Sequence, residues 1–541
     1  MKRIKPILIS ALATWFIAGC GSAAITQQPL ENTGTITEKK AKLSDDELKT
    51  WPHASLIQDT IPGMSIDLAY SEILNKRKGE KVIVGVIDSG VDIEHEDLKN
   101  VIWTNEDEIP GNNKDDDNNG YIDDVHGWNF LGTSVHENME FVRILKKGDN
   151  GSEVYKKAQA QYDREYNEAL QNKTQYERIL GWVNQADEVI KKELGKDTYT
   201  REDLAAITSE DQLVLQSAGM LRQMLTYGDS ISEVKKQLKE GIKHFANQLN
   251  YNLNMEFNGR ASVGDNPDDF NDRNYGNNNV IGPDKTEAEH GTHVTGIIAA
   301  QRNNNLGVKG VAENVAIMAL RAVPDGDEYD KDIALAIRYA ADNGAKVINT
   351  SFGKYYSPHP EWVREAIQYA ASKDVLIVNA AGNDAYNLDE IDIYPNDATG
   401  TDSEIADNFL TVGALHYEYG PNLVANFSNY GKHNVDVFAP GTKIWSTMPG
   451  NAYDFLQGTS MAAPAVTGIA ALIRSYFPQL KAGQVKRIIM QSGLPSENRV
   501  MLGEDPNKSD AFTGISTSGK MVNLYNALIL ADKVARGKVN L

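Results

Sequence analysis

The sequence predicts an α/β fold: a doubly wound parallel sheet with helices on both faces, interrupted by a helical insertion. Three observations carry that expectation. The run Lys81-Val82-Ile83-Val84-Gly85-Val86-Ile87-Asp88 reads as a short buried strand that ends on a carboxylate. From Val315 onward, apolar runs of strand length alternate with stretches of helical period. Between these regions, residues 131–258 carry apolar spacings of three and four, the period of an amphipathic helix.

The chain has 541 residues, 41% hydrophobic and 24% charged, enough for one large or two modest domains. A net charge of −21 argues against nucleic acid or an anionic membrane surface as a partner. The start of the chain is basic at Lys2, Arg3 and Lys5, then apolar from Ile7 to Ala18. That run is too short for a stop-transfer helix and fits a secretory signal over 1–19. Ile17-Ala18-Gly19-Cys20 resembles a bacterial lipobox, which makes Cys20 the expected site of lipidation. Cys20 is the only cysteine, so no intrachain disulfide can form, and stability must come from packing and metal. Residues 20–43 are polar without apolar periodicity and read as a tether.

Residues 44–75 hold Trp51, Pro52, Ile61 and Pro62, followed by the helical pattern Ile66, Ala69, Tyr70 and Ile73. After the Asp88 strand, Asp115-Asp116-Asp117-Asn118-Asn119-Gly120-Tyr121-Ile122-Asp123 places carboxylates at alternating positions before a turn-forming glycine. Hard-cation loops collect oxygen ligands this way. Asp115, Asp117, Asn119 and Asp123 fit the first, third, fifth and ninth positions of such a loop, and calcium is the expected ion. Position twelve is His126, not a glutamate, so other ligands must close it.

In the insertion, Tyr155, Ala158, Tyr162, Tyr166 and Ala169, then Tyr176, Leu180 and Val183, predict one amphipathic helix. Thr200-Arg201-Glu202-Asp203 starts a second with a capping-box pattern. Leu213, Leu221 and Leu225, then Val234, Leu238 and Ile242, continue the period. The expectation is a helical hairpin or small bundle. Residues 266–284, rich in Asn, Asp and Gly, are loop. Strands are expected over 315–322, 347–351 and 375–380, with helices over 332–343 and 361–372 between them.

Near the end, Gln457-Gly458-Thr459-Ser460-Met461-Ala462-Ala463-Pro464 delivers one serine to the mouth of an apolar helix. A hydroxyl there meets the positive end of the helix dipole and unpaired N–H groups, a good place for a nucleophile whose attack creates an oxyanion. Glu289-His290-Gly291-Thr292-His293 places histidine just before another apolar helical run. Asp, His and Ser follow one another in the chain order of subtilisins.

On these three motifs the chain resembles the subtilisin-like (S8) serine proteases over roughly 79–130 and 280–535. The resemblance implies a serine endopeptidase with Asp88, His290 and Ser460 as a catalytic triad, and Asn383 as a donor to the oxyanion. His293, one turn on, is then a packing or hydrogen-bonding residue. The resemblance further assigns Ser351, Phe352 and Gly353 to the strand that pairs with extended substrate, and Ala380, Ala381 and Gly382 to the facing wall. Asp384 beside that wall hints at a basic substrate side chain. Asp97 and Asn304 match ligands of a structural calcium site. No zinc-type motif accompanies these residues, so no catalytic cofactor is expected. The catalytic domain is thus split into 44–130 and 259–541, with the insertion at 131–258. A leader of 44–75 is too short for the family's inhibitory propeptide domain. Protein or peptide substrates, a monomer, and a lipid anchor at the bacterial cell envelope complete the expectation. A surface-tethered scaffold that keeps the fold, and a peptide ligase using the same acyl-enzyme, are the alternatives.

Overall fold

The computed structural model describes residues 24–31, 36, 39, 41–75, 77–398, 403–505 and 507–541. Its sheet is built around the strands β1 (Val82–Asp88), β2 (Gly127–Asn129), β3 (Val315–Arg321), β4 (Val347–Thr350), β5 (Leu376–Ala380), β6 (Phe409–Leu415) and β7 (Val437–Pro440). All are parallel to their neighbours. They lie in the order β7-β6-β5-β4-β1-β3-β2, and the short antiparallel pair Leu494–Pro495 and Lys520–Met521 extends the β7 edge.

Helices on both faces bury the central strands, which is why these read as unbroken apolar runs rather than alternating ones. One layer includes the helices Asp330–Asp342 and Pro360–Ser372, packed with the core around Ile87, Met318 and Phe409. The other includes Glu289–Ala299 and Thr459–Tyr476, packed with Val84, Val378 and Leu410. In the helix Thr459–Tyr476 every residue except Ser460 and Tyr476 is buried. The predicted strands and helices of this region hold to within two residues at each end.

Strand order turns back at β1, with β3 and β2 on one side and β4 to β7 on the other. In a sheet of this kind the crevice for a ligand opens at the carboxyl ends of the strands near that turn. Asp88, the last residue of β1, is therefore at the crevice floor.

The insertion is helical as expected. Glu153–Leu194 runs 42 residues and packs with Gln212–Met224 and Ile231–Asn247 around its own core of Val183, Ile190, Leu204, Leu221 and Leu238. Thr200 caps Arg201–Ala205 through the predicted capping box with Asp203. Two positions depart from the reading. Tyr166 is 36% exposed, and Leu213 is 57% exposed, the latter because the buried face of its helix runs through Val214, Ser217, Ala218 and Leu221 instead. The small residues Ser217 and Ala218 hid that phase.

The tether also departs in part. Leu30 N donates to Asn526 Oδ1 at 2.7 Å, and Asn526 Nδ2 returns a bond to Leu30 O at 2.9 Å. Ile25 and Leu30 thus lie against the C-terminal helix Leu524–Ala535. Two isolated apolar residues show no period, so no local pattern marks the contact. The expected signal over 1–19 lies outside the described residues.

Where the insertion joins the sheet, charges are buried together. Lys354 bridges Glu140 at 3.2 Å and Asp330 at 3.0 Å, Arg143 pairs with Glu140, and Arg260 holds Asp332. Burial pushes Glu137 up to about 7, against the pull of Arg143 and Arg260 and with Asp332 adding to the push. Burial likewise raises the neighbouring Asp327 and Glu328. A carboxyl whose folded pKa is raised stabilises the fold below its unfolded value, 4.5 for Glu137, and loses that contribution as pH rises through about 7. We therefore expect resistance of the junction to added protease to fall between pH 5 and pH 8. Glu137→Gln should flatten that decline; an unchanged slope would mean that Glu137 does not titrate with the fold.

Candidate active site

Three chain segments meet at the crevice. β1 delivers Asp88, which is buried and accepts from Ser89 N at 2.8 Å and from His290 Nδ1 at 2.7 Å. His290 is the second residue of the helix Glu289–Ala299 and remains partly exposed. The contact depends on Gly291. A Cβ there would lie 2.1 Å from Gly90 O and 3.1 Å from the Asp88 Cβ, so only glycine lets the helix come this close to the strand end. Burial lowers the affinity of His290 for a proton, but the charge and hydrogen bond of Asp88 and the charge of Glu289 outweigh it. The net pKa lies above 6.5. His293 is buried, bonds the carbonyls of Ile444 and Asp454 through Nε2, and is pushed down to about 3 by burial. It is a neutral structural residue, as expected.

Ser460 is in the first turn of the helix Thr459–Tyr476, whose N-cap is Gly458 at φ 147°. Pro464 has no N–H, so the Ser460 carbonyl lacks its partner one turn on. The Ser351 hydroxyl takes that place, donating to Ser460 O at 2.9 Å, while Ser460 Oγ donates to Ser351 O at 3.1 Å. In this rotamer the Ser460 hydroxyl is held by the end of β4 and makes no hydrogen bond to His290. Asn383 follows β5, and its Oδ1 accepts from Thr459 N at 2.9 Å and Thr459 Oγ1 at 3.0 Å. This fixes the amide with its Nδ2 donors free of protein partners among the described residues. The sequence places Asn383 here; the clamp from Thr459 was not legible in it.

Ser351, Phe352 and Gly353 leave the end of β4, and Ala380, Ala381 and Gly382 run out of the adjacent β5. The two predicted walls are thus side by side at the crevice. Gly382 N donates to Thr459 Oγ1 at 3.0 Å, and Asn429 Nδ2 donates to Ala381 O at 2.8 Å. Asp384 accepts a hydrogen bond from the Tyr355 hydroxyl, so its carboxylate is already engaged. A cleft of about 460 Å³ beside Asp88, His290 and Ser351 is lined by Glu287, Glu289 and Asp325. Lys243, from the insertion helix Ile231–Asn247, completes the wall. Both ends of the insertion lie near active-site segments in the sequence, which allows a lid or exosite, but nothing in a helical period states that Lys243 faces the cleft.

The acidic loop is rearranged relative to its expected ligand set. Asp115 and Asp117 converge, and the third carboxylate of the cluster is the buried Glu108, not Asp123. Asp123 is spent on the backbone, accepting from the N–H groups of Gly111, Asn112 and Asn113 at 3.0, 3.3 and 2.6 Å. Asn119 turns its Oδ1 to Tyr121 N at 2.8 Å and its amide to Asp117 and Asp124. At the second expected site, Asn304 lies against Asp97, but presents Nδ2 as a donor at 2.6 Å, while Asp97 also accepts from Gln301 N and Val308 N. That arrangement is a carboxylate capping a loop. Cys20 lies outside the described residues.

The sequence is similar to those of known serine proteases. The chain is 44% identical over 187 residues to the thermophilic serine proteinase of Bacillus sp. strain AK1, covering 34% of this chain and 42% of that protein. It is 38% identical over 199 residues to subtilisin BL of Lederbergia lenta, covering 36% and 67%. It is 35% identical over 226 residues to M-protease of Shouchella clausii strain KSM-K16, covering 41% and 54%. The aligned part thus spans about half the length of these relatives. The model of the subtilase family matches residues 79–514, and the chain belongs to that family.

Proposed function

We propose that the protein is a serine endopeptidase that hydrolyses peptide bonds through an acyl-enzyme on Ser460. The 2.7 Å contact between His290 and Asp88, at the strand ends that also hold Ser460, carries this reading. When substrate enters, the Ser460 hydroxyl turns from the Ser351 carbonyl to His290 Nε2, which takes its proton as Oγ attacks the carbonyl carbon. Asp88 holds the Nδ1–H tautomer and stabilises the imidazolium. The Ser460 backbone N–H and Asn383 Nδ2 receive the oxyanion. His290 returns its proton to the leaving amine, and water then releases the acyl group by the same steps. The walls 351–353 and 380–382 offer main-chain groups to an extended peptide, a mode that binds without much sequence preference. That geometry supports protein or peptide substrates.

For place in the cell, the lipobox-like Ile17-Ala18-Gly19-Cys20 after a short basic and apolar run supports a lipid anchor at the cell envelope. Cys20→Ser should then move the protein from the membrane fraction to the soluble one. Continued tight membrane association would reject Cys20 as the anchor.

Ser460→Ala should abolish peptide hydrolysis and labelling by a fluorophosphonate probe, with an unchanged melting curve. Undiminished turnover would reject the reading. Asn383→Leu should slow kcat by about 10²–10³ while leaving probe labelling detectable, since nucleophile and base survive. Loss as complete as in Ser460→Ala would leave Asn383 without an oxyanion role.

The base must be neutral to work, and His290 titrates above 6.5, so kcat/KM should fall on the acid side from above that pH. Asp88→Asn should cost about 10⁴ in kcat and shift this limb downward. A limb that stays in place would show that another group controls it.

A further inference from the structure

The crevice between the walls 351–353 and 380–382 lies on the β5 side of β4. The cleft of about 460 Å³ lies on the other side of β4, where that strand adjoins β1 and β3. Asp88 ends β1 and Arg321 ends β3, and both line this cleft together with His290 and Ser351. Successive side chains of an extended peptide point in opposite directions. A peptide paired with 351–353 turns the side chain at the attacked carbonyl toward the 380–382 wall. It therefore turns the preceding side chain toward His290 and the cleft.

The charge of the cleft singles it out. Asp88, Glu287, Glu289 and Asp325 line it against two cations, Arg321 and Lys243. Arg321 is buried, and its guanidinium donates to Ser89 O, Asn129 Oδ1 and Ser134 O at 3.0, 3.0 and 2.7 Å. Asp325 has its own partner in His136 Nδ1, at 2.7 Å. Asp88 Oδ2 is buried and has no hydrogen-bond partner among the described residues, so its charge is uncompensated on that side. The remaining cation comes from the insertion. Lys243, on the helix Ile231–Asn247, brings Nζ to 3.8 Å from Glu287, with its side chain 69% exposed. An exposed pair at that distance contributes little, and water or another cation displaces it readily.

We propose that the cleft receives a lysine or arginine side chain of the substrate, at the residue before the one whose carbonyl Ser460 attacks, and that Lys243 is the chain's own occupant of it. This rests on the serine endopeptidase reading of the same site. The ammonium of Lys243 shows which chemistry the carboxylates accept, and its flexible four-carbon stem lets it swing out to solvent. A basic substrate side chain then takes its place beside Glu287, with Glu289 at the rim adding to the attraction. For a neutral side chain Lys243 stays. An acidic side chain meets carboxylates and is rejected by repulsion. Lys243 is thus a specificity-determining residue that the insertion contributes to the catalytic cleft.

The test uses the full chain and three peptide libraries that differ only at that residue, which is lysine, norleucine or glutamate. Mass spectrometry assigns the cleaved bond, and fluorophosphonate labelling checks that each variant keeps its nucleophile. The lysine library should be cut about fivefold faster than the norleucine one, in kcat/KM, and the glutamate library slowest. That preference should shrink at about 1 M salt, where screening shortens the reach of charge. Glu287→Gln should lower the lysine-to-norleucine ratio about threefold, because the subsite loses its main partner. Lys243→Ala should raise the same ratio about twofold, because the substrate cation no longer has a competitor. Equal turnover of the three libraries overturns the proposal and leaves the peptidase reading standing, as does an unchanged ratio in Glu287→Gln. An unchanged or lower ratio in Lys243→Ala overturns the role of Lys243. A chain that cuts none of the libraries overturns the peptidase reading along with the proposal.

Discussion

The candidate site depends on a two-way exchange between Ser351 and Ser460. Pro464 removes the N–H that would have bonded the Ser460 carbonyl, and a buried carbonyl without a donor costs roughly 1–3 kcal/mol. The Ser351 hydroxyl satisfies it at 2.9 Å, and the Ser351 carbonyl accepts the Ser460 hydroxyl in return. One residue at the end of β4 therefore sets both the depth of the buried helix and the resting rotamer of its serine. The oxyanion-side wall of the crevice is referred to that helix. Thr459 holds Asn383 and Gly382, and Thr467, two turns on, donates to Asn349 of β4 at 2.9 Å. A helix buried on every side cannot shift without breaking several of these bonds at once.

The histidine comes from the opposite direction and by a different device. Gly291 removes the side chain that would collide with Gly90, so that the helix Glu289–Ala299 rests directly on the end of β1. The serine is thus positioned by hydrogen bonds and the histidine by close packing. Both devices act at the carboxyl edge of the sheet, where the strand order turns back.

Legibility in the sequence followed the range of the interaction. Strand runs, helix periods and the capping box at Thr200 are local, and their positions hold to within a residue or two. The positions of Asp88, His290, Asn383 and Ser460 were legible because each belongs to a short motif at the end of an element. What was not legible are choices among chemically equal partners. Asp123 and Glu108 are both carboxylates near one turn, and nothing local says that three backbone N–H groups will claim the first and leave the second. Leu213 and Val214 are both apolar, and only the packing of Ser217 and Ala218 against the long helix decides which one is buried. The seat of Leu30 on Asn526 joins residues 496 apart, a pairing that no local pattern contains.

The insertion shows how such long-range choices bear on function. Its outer part has a separate core, around Leu221 and Leu238. Its base is different. Glu140 and Arg143 join Lys354, the residue that follows the wall 351–353, and Tyr356 donates to Gln161 of the long helix at 2.9 Å. A displacement of the insertion would therefore pull on the segment that leads out of that wall, while Lys243, near the end of the helix Ile231–Asn247, would leave the cleft. Breaking the buried pair at Lys354 by removing one partner strands a charge in the interior, which typically costs 3–5 kcal/mol. That cost couples the two units more firmly than their separate cores require. The insertion is in this sense part of the crevice and not an ornament on a finished domain.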